Sequence, residues 1–244
     1  MTCEFLFPFF YNPPLVLQIV VDLREQHPSD LSSFFLQFCF VGLRHLEVAS
    51  QSSGVPINLE WMPFLLNPNM PDEGGGNIVD YLVQKYGPSA AASFNDPNSR
   101  LKQMGRAVGI VFNNDRQALN TKRAHALVEQ LKVKGENEKA NAFMEDLYQS
   151  YFVDAQNIND PVWLTQAVSK YGVDEQECAF AMGDQNLAAI AKLDRDTKSQ
   201  YGVSGVPFYM IYPNHGSDKP VAFSGAYPPE VIAKQLEEAS ASSS

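Results

Sequence analysis

Cysteine is scarce in this chain, and its spacing excludes more than its number does. Of 244 residues only Cys3, Cys39 and Cys178 are cysteine, and no two stand as Cys-x-x-Cys. That rules out a disulfide framework and a cysteine-rich zinc site, and an odd, irregular set suits a reducing compartment. No two of the four histidines have metal-ligand spacing, so no metal is expected. Basic residues are few as well. Lys and Arg total 18 against 28 Asp and Glu, a net charge of −10, which argues against nucleic-acid binding because phosphate neutralisation needs clustered cations. The densest basic stretch, Lys132, Lys134 and Lys139, is offset by Glu129, Glu136 and Glu138 and reads as a solvated helix face. No apolar run approaches the ~18 residues of a membrane span. The apolar start, Met1 to Phe10, carries no Lys or Arg and lacks the positive region of a secretory signal. A cytoplasmic location with no membrane partner is therefore expected. Gly74-Gly75-Gly76 is not followed by the lysine of a phosphate-binding loop.

What is present is a soluble globular composition, 45% hydrophobic and 19% charged. Leu15 to Leu23 is a continuous, β-branched apolar run, the mark of a buried strand. Arg24 to Ser33 reads as a loop, Phe34 to Ala49 as a helix with Leu36, Phe40, Leu43 and Leu46 in phase, and Val55 to Trp61 as a second strand. A loop rich in Pro, Gly and Asn follows at 67–77. Helices are then expected at 78–86 (ended by Gly87-Pro88), 98–108, 121–134, 138–154, 161–171, 174–182 and 185–198, the last with Asp184 as its cap. Strands return at 207–212 and 220–224 across a hairpin loop at 213–218, and an amphipathic helix at 228–239 closes the chain. The order is βαβ, a helical block, then ββα.

The stretch Ser204-Gly205-Val206-Pro207-Phe208-Tyr209-Met210-Ile211-Tyr212 opens a buried strand with a proline. Proline cannot donate to a ladder, so it belongs at a strand's first residue, an edge or a bulge. It is a candidate cis bond or an ordinary trans proline at the start of the strand.

This stretch resembles the Gly-Val-Pro-Phe element of DsbA-like thioredoxin-fold proteins. The chain is similar to the FrnE-like branch of that family over nearly its whole length. The resemblance is carried by Trp61 to Pro71, by Asn120-Thr121-Lys122-Arg123-Ala124-His125-Ala126-Leu127, by Leu147 to Phe152 with Asn157-Ile158, and by Ser224-Gly225-Ala226-Tyr227-Pro228-Pro229-Glu230. It implies an α/β, thioredoxin-like fold (βαβ…ββα) with a large helical insertion of the DsbA type. Residues 15–69 and 199–244 would form the thioredoxin-like domain, 70–198 the insertion and 1–14 an extension.

In the family the first helix opens with Cys-Pro-x-Cys. Here Cys39-Phe40-Val41-Gly42-Leu43 resembles the end of that pattern, so Cys39 falls on the second cysteine. Leu36 stands where the attacking cysteine should be, and Gln37 where the proline should be. The sixteen residues 23–38 separate the first strand from Cys39, a longer gap than the family's. The resemblance implies that part of this stretch replaces the motif through an alternative splice or gene-model boundary.

By resemblance the chain is a thiol–disulfide oxidoreductase with its attacking thiol missing. Cys39 and Pro207 are the candidate catalytic residues, with Cys39 either a monothiol site or an inert buried hydrophobe. Val206, Asn120 and His125 are the candidate substrate contacts, although His125 equally suits packing of its helix start. His45 is expected at the helix surface. The substrate would be a thiol or disulfide in a protein or small molecule, with no resident cofactor and glutathione the one candidate co-substrate. The alternatives are a glutathione-dependent isomerase or transferase of the same architecture, for which Ser32 and Ser33 are out of register, and a non-catalytic binding protein or splice form.

Overall fold

The computed structural model describes residues 15–20, 35–203, 207–212 and 220–241. The loops expected at 24–33 and 213–218 lie outside the described residues, as do Val206, Cys3 and the stretch 21–34. Strand β1 (Leu15–Val20) pairs in parallel with β2 (Ile57–Met62), with Leu15 opposite Ile57. On its other side β1 pairs antiparallel with β3 (Phe208–Tyr212), which pairs antiparallel with β4 (Val221–Ser224). The order is β2-β1-β3-β4. A parallel pair needs a long crossover, and helix α1 (Phe35–Ser53) supplies it. The last helix, α10 (Pro229–Ala241), packs beside α1.

The apolar run of β3 does not alternate with polar residues, because both faces of the strand are covered. Tyr209 and Ile211 point into the main core with Cys39, Phe40 and Leu236. Phe208 and Met210 join Val203 in a second cluster on the opposite face. Burial on both sides is what an unbroken hydrophobic strand encodes.

Among the described residues eight helices come between β2 and β3: α2 (Ile78–Tyr86), α3 (Pro88–Asn95), α4 (Arg100–Ala107), α5 (Lys122–Val133), α6 (Asn137–Phe152), α7 (Pro161–Ser169), α8 (Glu175–Ala181) and α9 (Asp184–Tyr201). Helix α3 departs from the sequence expectation. Gly87-Pro88 does end α2, but Gly87 at φ 86° caps α2 and opens α3 together, and Pro88 takes the first helical position, where its missing N–H costs nothing. Asp184 is not the cap of α9. Gly183 is, and Asp184 lies in the first turn, where its charge meets the helix dipole. Helix α1 runs a turn beyond Ala49 and stops before Gly54, at φ 66°.

Among the described residues β2 is an edge strand, and side chains from the helical block occupy its outward carbonyls. Asn141 Nδ2 donates to Leu59 O at 3.1 Å and Lys132 Nζ to Trp61 O at 2.9 Å. Just beyond the strand, His125 Nε2 meets Phe64 O at 3.1 Å, Leu65 N donates to Asp194 Oδ1 at 2.9 Å, and Lys198 Nζ donates to Leu65 O at 3.0 Å. Asp194 is buried and pairs with Lys198 at 2.7 Å, and the Lys198 ammonium lies 3.7 Å from the Phe64 ring centroid. An unpaired edge invites pairing with another chain, and these contacts close it.

Candidate functional site

Cys39 is the fifth residue of α1 and only 2% exposed. Burial pushes its thiol well above the usual cysteine range. The phenols of Tyr148 and Tyr209 are near enough to feel its charge, and burial raises both of them too. A reactive cysteine needs the opposite surroundings, exposed and electropositive, because the thiolate is the nucleophile. As placed, Cys39 is a protonated core thiol.

Pro207 stands at the head of β3. It is buried, and its carbonyl accepts a 2.7 Å bond from Gly225 N, which ties the start of β3 to the end of β4. Its ring lies against α1 at Gly42, one helical turn beyond Cys39. A Cβ added to Gly42 would come 2.8 Å from Pro207 Cγ and 2.4 Å from the Tyr209 hydroxyl. The glycine in Phe40-Val41-Gly42 therefore has a physical reason: only a bare backbone lets β3 approach the cysteine-bearing helix this closely. The structure thus brings Cys39 and Pro207 to one place, with Gly42 and Tyr209 between them. Sequence reasoning did not single out Tyr209, because in a strand covered on both faces no alternation shows which side chain meets the cysteine-bearing helix. Next to Leu36, Gln37 is 1% exposed and its Oε1 has no hydrogen-bond partner among the described residues; the Tyr209 hydroxyl has none either.

The other candidates do different work. Asn120 is buried, with Nδ2 donating to Met70 O at 2.7 Å and to Asp72 Oδ1 at 3.3 Å, while its Oδ1 accepts from Lys122 N at 3.1 Å. All of these bonds are internal, and they fasten the loop after β2 to the start of α5. His125 is half-buried, and desolvation lowers its pKa to about 4. His45, expected at the surface, is buried: its Nδ1 lies 2.7 Å from Tyr227 O, which joins α1 to the turn before α10. That partner sits 182 residues away in sequence, so helical phase alone could not show it. Cys178 is buried. Among the described residues no group of three His, Cys, Asp or Glu side chains is placed to hold a metal ion, and no helix is long and apolar enough to cross a membrane.

A family model of the DsbA-like thioredoxin domain matches residues 32–237. A search of curated proteins returned no match. Among solved structures, the fold is similar to a probable DsbA oxidoreductase from Streptomyces coelicolor, with 24% identity, a TM-score of 0.70, and 92% of this chain and 89% of that one covered. It is also similar to the cytosolic disulfide reductase DsbM from Pseudomonas aeruginosa, solved with glutathione, with 14% identity, a TM-score of 0.54, and 92% and 98% covered.

Proposed function

Because the chain belongs to the DsbA-like thioredoxin domain family, we propose that it is a FrnE-like member that keeps the family's docking edge for thiol or disulfide substrates but does not turn over as a dithiol oxidoreductase. The observation that carries this reading is the state of Cys39, 2% exposed with its thiol held protonated by burial. Dithiol exchange requires an exposed thiolate to attack and a second thiol to resolve the mixed disulfide. This chain has leucine at the attacking position and a core thiol at the resolving one. Pro207 at the head of β3, packed on the cysteine-bearing helix through Gly42, supports retention of the docking edge. β3 itself is paired on both sides, so an extended partner would bond to backbone at the entry to the strand.

Glutathione is the second candidate for the same edge. It is favoured by the similarity in fold to a disulfide reductase solved with that tripeptide. Three scattered cysteines and the absence of a cysteine pair favour work in the reducing cytoplasm.

Alkylation of the native protein against a glutathione potential series, with an insulin-reduction assay beside it, tests the reading. The expected result is a Cys39 that reacts only on unfolding and no insulin reduction above the uncatalysed rate. A Cys39 that forms a mixed disulfide with glutathione in the folded protein, or insulin reduction lost in Cys39→Ser, overturns it.

A further inference from the structure

We propose that the chain associates with a second copy of itself through a groove between α5, α8 and α9, with Phe180 of each copy entering the groove of the other. No wall of the groove belongs to α1 or β3, the elements of Cys39 and Pro207, so the contact does not depend on whether Cys39 is silent. The groove encloses about 220 Å³, more than the ~150 Å³ that accepts one benzene ring. Its floor includes Ala126, Ala181 and Ile190, all buried. Val133 and Phe180 also line it, and they are 76% and 68% exposed. A single exposed apolar side chain is ordinary, but two of this size on one apolar hollow mark an interaction surface. Ring and hollow lie on the same patch, as an isologous contact requires: what one copy offers, the other receives.

The backbone that carries Phe180 is already fixed. Helix α8 opens with a capping box, in which Asp174 Oδ1 accepts from Glu177 N at 2.8 Å and Glu177 Oε2 accepts from Asp174 N at 2.9 Å. Lys134, just past α5, reaches the same Glu177 at 2.8 Å. At the far end of α8, Asn186 Nδ2 donates to Phe180 O at 2.7 Å. A ring on so firm a base loses little backbone freedom when it docks.

Charge selects a second copy as the occupant. At a net −10, self-association is opposed wherever bare carboxylates would face each other. In the groove lining the one charged residue is Glu129, and Lys132 neutralises it at 2.9 Å. Lys134 and Lys139, which complete the chain's densest basic stretch, are matched in the same way by Glu177 at 2.8 Å and Glu136 at 3.0 Å. A strongly charged partner therefore finds no free counter-charge in the lining. The other polar groups there are the amides of Gln130 and Asn186. An amide holds both donors and an acceptor, so it can pair with its own copy across a two-fold axis.

The test is sedimentation velocity of the native full chain from ~1 to ~500 μM, with a reductant present so that cysteine-linked dimers do not form. We expect the mean mass to rise with concentration from one chain toward two. Phe180→Ser should raise the dissociation constant at least ~30-fold, as loss of an interface aromatic anchor does. Its circular dichroism spectrum should not change, since the ring is exposed in the single chain. Val133→Lys should weaken association as well, although it reduces the net negative charge that opposes it. Val111→Ser removes a side chain that is 69% exposed and lies outside the groove, and it should leave association unchanged. The proposal is overturned by a chain that stays single throughout, as it would if the groove served a small apolar ligand or an unrelated protein. Native-like association of a folded Phe180→Ser, or an equal loss in Val111→Ser, overturns it too. Should Phe180→Ser fail to fold, undiminished association of Val133→Lys overturns it instead.

Discussion

The Tyr209 hydroxyl sits over the bare backbone of Gly42, so close that a Cβ there would be 2.4 Å from its oxygen. Glycine inside a helix forgoes up to ~1 kcal/mol of propensity relative to alanine. Helix α1 accepts that loss for the sake of contact with β3. Gly42→Ala sets the two effects against each other. Tyr209 is 0% exposed, and its strand is paired on both sides, so the ring cannot swing away. Overpacking costs ~1–3 kcal/mol and should exceed the gain in propensity. We expect Gly42→Ala to lower the unfolding free energy measured in urea by a net ~1–2 kcal/mol, and a stability at or above the native one would show that β3 yields.

Leu36 is the second residue of α1, three before Cys39. A thiol in the first turn of a helix meets unsatisfied N–H groups and the positive end of the dipole, which stabilise its thiolate. Leu36→Cys should therefore rebuild the pair that the rest of the scaffold still suits. The expected outcome is a disulfide between positions 36 and 39 that titrates against glutathione, with insulin reduction raised at least ~10-fold over the native chain. A variant that folds but forms no such disulfide would mean that Gln37, or the backbone entering α1, has lost the motif's geometry.

Most of the elements were legible because their patterns are local. The β-branched run of β1, the phase of Phe40, Leu43 and Leu46 and the proline before Phe208 each declare their place within a few residues. Helix α3 was missed because Gly87-Pro88 carries two meanings, a stop for one helix and a start for the next. The clamp on the loop after β2 could not be read at all. Asp194 looks like any acid on an amphipathic helix, yet it is buried and holds Leu65, 129 residues away. Cys39 could be aligned from its neighbours, but its burial depends on Tyr148 and Tyr209 arriving from distant segments. The neighbourhood of Cys39 and Pro207 was thus legible from aligned neighbours, and the state of the thiol was not.

His125 ties stability to pH. Its pKa is about 4 in the folded protein, against an ordinary value near ~6.5 when unfolded. Between those values the unfolded chain binds more protons, so stability rises with pH across the window and falls on acidification. Burial is the chief cause; Asp194 pulls the pKa up, and Lys132 and Lys198 push it down. From pH 7 to pH 5 the loss attributable to this ring should be about 2 kcal/mol. His125→Gln retains an N–H for the Phe64 carbonyl but cannot titrate. Denaturant unfolding at both pH values should show a loss smaller by that amount in the variant, and equal losses in the two proteins would refute the assignment.

Arg116 is a buried cation with no carboxylate partner among the described residues. It is 1% exposed, and its Nε and Nη2 have no hydrogen-bond partner among the described residues. Desolvation pushes its pKa down. In compensation the guanidinium lies 5.4, 5.1 and 4.9 Å from the ring centroids of Phe94, Tyr151 and Phe152. The Tyr151 hydroxyl, which donates to Gln117 O at 2.7 Å, has lone pairs left to accept from it. Cation–π contacts are worth up to ~2 kcal/mol when desolvated, whereas burying a charge with orphaned donors costs several kcal/mol. Methionine fills a similar length and keeps contact with the same three rings through its sulfur. Arg116→Met should therefore leave stability within ~1 kcal/mol of the native value or raise it. Arg116→Ala, which opens a cavity among those rings, should cost ~2–4 kcal/mol. Urea unfolding of the two variants side by side decides the matter. A Met variant as unstable as the Ala variant would mean that the charge itself, held by the aromatic cage, stabilises this end of the helical block.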